Sequence, residues 1–131
     1  MRLPALDQRV LLERGEAGVL AAALGVLVRD VTHATRPVPL LEAIALPALS
    51  TLATRLGRLH QRERAAPPRP GQRPRPRAFR VSYDQLAVLL HYRLCLPYCG
   101  LGALGQQQVQ VVVGKFQQQA LNLEHLLRIP T

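Results

Sequence analysis

Tryptophan is absent from this 131-residue chain, and two Phe and three Tyr are its only large aromatic side chains. A core built without such rings rests on Leu, Val and Ala, which pack well between helices. Cysteine is scarce as well. Cys95 and Cys99 alone cannot supply the several bridges of a small secreted scaffold, and their rarity predicts a reducing, intracellular setting. Uncharged apolar runs are short. The longest, Ala17 to Val28, is bounded by Glu16 and Arg29 and falls well below the roughly twenty residues of a membrane span. It predicts a buried helix and no membrane partner. Near the N-terminus Arg2, Asp7, Arg9, Glu13 and Arg14 interrupt any secretory apolar segment. Lysine occurs once, at Lys115, so the basic character is almost entirely guanidinium.

What is abundant is positive charge in one place. The formal net charge is +9, and +6 of it falls on Gln61 to Arg80, where Arg62, Arg64, Arg69, Arg73, Arg75, Arg77 and Arg80 face a single acid, Glu63. Prolines 67, 68, 70, 74 and 76 share the segment. Each lacks an N–H and disfavours helix in the residue before it, which predicts an extended, mobile linker or arm.

Periodicity organises the rest. Glu16 to His33 is apolar nearly all round, which predicts a central helix with an acidic start suited to the helix dipole. Leu6 to Arg14 reads equally as a short helix ended by Gly15 or as one arm of a hairpin. A second helical region runs from Leu40 to about Glu63, with Pro47 favoured as the first residue of a restarted helix. There Leu49, Leu52, Leu56 and Leu59 form one apolar stripe flanked by Arg55, Arg58 and Arg62. After the arm, Ser82 followed by Gln85 has the form of a capping box, predicting a helix from about 83 that ends near Leu96, before Pro97. A long helix is expected over 106–128, with Val109, Val113, Phe116, Ala120, Leu123 and Leu127 at seam spacing and an uncharged Gln-rich face. The β-branched run Val109 to Val113 also admits a short strand. The reading is all-α: a small bundle of four to five helices in two apolar halves, 1–60 and 81–131, joined by the Pro/Arg-rich linker 61–80, with the second half packing on the first.

The chemically suggestive groupings are weak. His91, Cys95 and Cys99 recur every four residues, but Pro97 interrupts their helix and only His125 offers a fourth zinc ligand. Packing explains them better, and no metal is expected. Gly100, Gly102 and Gly105 spell a dinucleotide-type glycine pattern, yet a helix rather than a strand precedes them and no βαβ unit can be drawn, so no cofactor is expected. The eight carboxylates are scattered, and no pair shares a helix face near a histidine. His33, His60 and His125 lie toward helix C-termini, where a cation suits the dipole. Cys95 with His91 has neither oxyanion donors nor a third orienting group. The chain is read as non-enzymatic, without a small-molecule ligand.

Two functions remain. In the first, the seven arginines of the arm contact the phosphates of nucleic acid with little regard to sequence. Near the arm only Phe79 and Tyr83 could stack on bases, which argues against a dedicated single-strand platform. In the second, Val109, Val113, Phe116, Leu123 and Leu127 dock a protein partner or a second copy of the chain. Arg64 to Pro70 also fits a basic polyproline ligand, a match easily met by accident in so Pro-rich a stretch.

Overall fold

The computed structural model describes residues 8–33, 40–73, 75–99 and 102–127, with the side chains of 41 and 123–127 excepted. In chain order these form β1 (Gln8–Leu12), α1 (Glu16–Thr32), α2 (Leu40–Ala65), β2 (Arg77–Val81), α3 (Tyr83–His91), a short 3-10 turn (Leu96–Tyr98) and α4 (Ala103–Leu127). The fold is mainly helical, as the apolar spacing predicts, but a two-stranded sheet accompanies the four α-helices.

That sheet is the main departure from an all-α reading. β1 and β2 pair antiparallel, with Val10 opposite Phe79 and Leu12 opposite Arg77. Residues 8–14 are thus neither a helix nor half of a local hairpin; their partner lies beyond both α1 and α2. Alternation sets the faces: Val10, Leu12, Phe79 and Val81 are buried, while Arg9, Leu11, Ala78 and Arg80 are exposed. Phe79 meets Phe116 of α4 edge-on, with ring centroids 6.3 Å apart. The ribbon therefore covers α4 with its apolar side.

α1 begins where Gly15 adopts φ +90°, a conformation only glycine takes without strain. The carboxylate of Glu16 in the first turn accepts the Glu13 N–H at 2.6 Å and also pairs with Lys115 of α4. Ala17, Leu20, Ala23, Leu24 and Leu27 face inward, and α1 packs most extensively on α2. α2 contributes the expected stripe, Leu49, Leu52 and Leu56 fully buried and Leu59 partly so. Each buried Leu contributes about 1.5–3 kcal/mol from area removed from water.

Pro47 does not restart a helix. It sits inside the continuous α2. The backbone bond it forfeits would have run to the carbonyl of Ala43, and both residues are exposed, so water can satisfy that carbonyl. The arm is also shorter and more structured than its composition predicts: residues 61–65 belong to α2 and 77–80 to β2.

Ser82 caps α3 as expected, its side chain accepting from the Gln85 N–H while the Gln85 side chain accepts from the Ser82 N–H. α3 ends at His91, earlier than Leu96. Tyr92, Arg93 and Cys95 then donate three residues back, to Leu89, Leu90 and Tyr92, so the chain tightens before Pro97 is reached. α4 is helical through Val109–Val113, without the strand alternative, and buries Val109, Val112, Val113 and Phe116. Buried residues from before and after the arm share one hydrophobic cluster.

Candidate nucleic-acid interface

The arm is shaped by its prolines and one glycine. Pro70 and Gly71 occupy the centre of a turn in which the Gln72 N–H donates to the Arg69 carbonyl at 3.0 Å, with Gly71 at φ +84°. This is the pattern of a type II turn, which demands positive φ at its third residue. Beyond it, Arg73, Arg75 and Arg77 line one cavity of about 500 Å³ together with Arg14, Gln72, Ala66, Pro68, Pro76 and Glu63.

Glu63 is the anomaly of this site. It is 3% exposed, and no other charged residue among those described is buried. Its position follows from α2: after Leu49, Leu52 and Leu56, the same helix face carries His60 and then Glu63. The Gly15 N–H donates to Glu63 Oε2 at 2.9 Å, while Oε1 has no hydrogen-bond partner among the described residues. An unmatched buried carboxylate oxygen is costly, and such groups commonly mark a ligand or a functional device. His60, one turn earlier, packs so closely on α1 that a Cβ on Gly18 would lie 2.6 Å from its ring. Its position toward the end of α2 thus serves packing against α1.

The predicted arginines divide. Arg62, Arg64, Arg69, Arg73, Arg75, Arg77 and Arg80 are all exposed, but only Arg73, Arg75 and Arg77 line the cavity. Arg62 and Arg64 flank Glu63 on the helix and so project away from it. Arg80 stands opposite Arg9 on the outer face of the ribbon, and its carbonyl accepts from Arg55. Arg55 is further held by Gln85 Oε1 at 2.7 Å and stacks 4.6 Å from the Phe79 ring centroid. Arg55, Arg58 and Arg62 follow one another on a single α2 face, so a basic track runs from Arg9 and Arg80 along α2 toward the arm. Arg29 lies on α1 beside Asp30, at 3.9 Å. Arg128 lies outside the described residues. Two cavity residues, Arg14 and Glu63, escaped the sequence reading. The available signal for Glu63 was its place on the apolar stripe of α2; nothing local marks Arg14.

The second candidate set is placed differently. Val109, Val113 and Phe116 are buried in the chain's own core; the side chains of Leu123 and Leu127 lie outside the described residues. The outer side of α4 exposes Leu104, Val111 and Leu121. Cys95 is exposed and Cys99 buried, and burial pushes the Cys99 thiol up from its ordinary value. Burial likewise raises Tyr92, whose hydroxyl has no partner among the described residues. No group of three or more His, Cys, Asp or Glu among the described residues is placed to hold a metal ion. Of the glycine pattern, Gly100 lies outside the described residues, and Gly105 is inside α4. No described helix is long and apolar enough to cross a membrane. No protein-family model, curated protein or solved structure matches this chain.

Proposed function

We propose that this is a non-enzymatic nucleic-acid-associated protein that grips phosphates through its arginine arm and the basic track beside it, with little dependence on sequence. The observation that supports this reading is the convergence of Arg73, Arg75 and Arg77 with Arg14 around one cavity, continued by exposed Arg58, Arg62, Arg80 and Arg9. Such a surface attracts a polyanion, and bound phosphates release counterions, so affinity falls with salt. With four to six phosphate contacts, log affinity plotted against log salt has an expected slope of about −4 to −5 on duplex DNA. Titrations of labelled random-sequence DNA and RNA at several salt concentrations test this directly. Replacing Arg69, Arg73, Arg75 and Arg77 by Gln should flatten the slope and weaken all sequences alike. Absence of binding at low salt, or equal binding by the four-Gln variant, sinks the proposal in favour of a protein partner or a second copy on α4. That alternative is left with the exposed Leu104, Val111 and Leu121, since Val109, Val113 and Phe116 are covered within the chain.

A further inference from the structure

We infer that the cavity under the arm reads an unpaired guanine of a single-stranded nucleic acid, with Glu63 as the base-reading residue. This rests on the phosphate-binding reading above and adds a base preference to it. The cavity combines groups that a pure phosphate clamp has no use for. Arg14, Arg73, Arg75 and Arg77 supply positive charge, Ala66, Pro68 and Pro76 supply apolar surface, and Glu63 brings a buried negative charge into their midst. A ligand that suits all three is an anion with a flat apolar body and N–H donors on its far edge. A nucleotide has that form, and a cavity of about 500 Å³ is within the usual range of roughly 300–1,000 Å³ for ligand pockets.

The acceptor selects the base. Glu63 Oε1 has no partner, and Oε2 is engaged by the Gly15 N–H, leaving that oxygen one further lone pair. A carboxylate is best matched by two adjacent donors. Guanine alone among the four bases offers them, N1–H and the N2 amino group, side by side on its Watson–Crick edge. Uracil and thymine place carbonyl oxygens on both sides of their single N–H, which would face the carboxylate unfavourably. In a duplex the guanine edge is already paired, so the site needs an unpaired base. Glu63 Oε1 is itself out of contact with solvent, so the base reaches it only when the wall moves, and residues 66–73, exposed throughout and in no helix or strand, are the part that must give way.

The test compares two labelled DNA oligonucleotides of equal length, one all thymidine and one with three thymidines replaced by separated guanines, at several salt concentrations. The guanine-containing strand should bind about tenfold more tightly, the usual scale of a good two-bond base contact, with the same salt slope. Glu63→Gln keeps an oxygen for the Gly15 N–H but turns the free acceptor into a donor. In that variant the guanine preference should vanish while thymidine binding and the salt slope persist. Equal affinity of the wild-type protein for the two strands, with the salt slope intact, overturns the guanine site and leaves phosphate binding standing. A preference that survives Glu63→Gln overturns the role of Glu63. If neither strand binds at low salt, the phosphate reading itself fails and the guanine site with it. The wild-type comparison decides the matter even should the variant fold poorly.

Discussion

α2 and α4 are long helices built on the same spacing, and they end in opposite chemistry. α4 carries Val109, Val112, Val113 and Phe116 inward and remains apolar at Ala120. α2 carries Leu49, Leu52 and Leu56 inward, then turns polar at His60 and Glu63. An apolar side chain at position 63 would continue the stripe. A sequence that breaks its own pattern on a buried face, beside four arginines, trades packing for something else. The α4 face is where the fold is held; the end of α2 is where the structure bears a cost, and that cost is what points to function.

The largest effect is expected at Phe116. Phe116→Ala removes the largest fully buried side chain and should cost about 3–5 kcal/mol, a large share of the stability of a domain this size. Unchanged thermal unfolding would mean that α4 is not the anchor. A smaller loss, about 1–3 kcal/mol, is expected for Gly18→Ala, because the new methyl collides with the His60 ring and α1 and α2 must separate or His60 must leave its pocket. Chemical denaturation measures it, and a neutral result would show the contact to be slack. Glu63→Leu should change stability by no more than about 1 kcal/mol, since the lost Gly15 bond is offset by removing a buried charge. A loss of several kcal/mol would place Glu63 among the residues that hold the fold and dissolve the contrast. Least of all should be felt from the four-Gln arm variant, with exposed side chains and an expected change within about 0.5 kcal/mol.

Much of the helical framework was legible because its signals are local. α1 announces itself by the uninterrupted run Ala17 to Val28, and α3 by the Ser82/Gln85 box at its first turn. α4 is legible from seam spacing that a strand could not sustain. β1 was ambiguous because its five residues alternate only briefly and their partner stands beyond two helices, at Arg77–Val81. Pro47 misled because its penalty depends on whether the freed carbonyl meets water, which is a property of the folded surface. The site was half legible. Charge density exposed the arm arginines, while the convergence of Arg73, Arg75 and Arg77 on one cavity emerges only in the fold. The stripe of α2 places Glu63 on the buried face, but the approach of Arg14 to it depends on how α1 docks against α2, and no local pattern carries that information.

The β1–β2 pairing has a kinetic consequence. It closes the chain around α1 and α2, joining Leu12 to Arg77. Closing a loop of that length costs on the order of 4 kcal/mol of chain entropy. The helical hairpin of α1 and α2 needs no such closure, and local contacts form fastest. The ribbon should therefore zip late in folding and open early in unfolding, with the Val10 and Phe79 amides exchanging sooner than those at the centre of α1. Because the arm is moored to the body at β2, each opening of that clasp would also let the arginines swing free and then return them to their place.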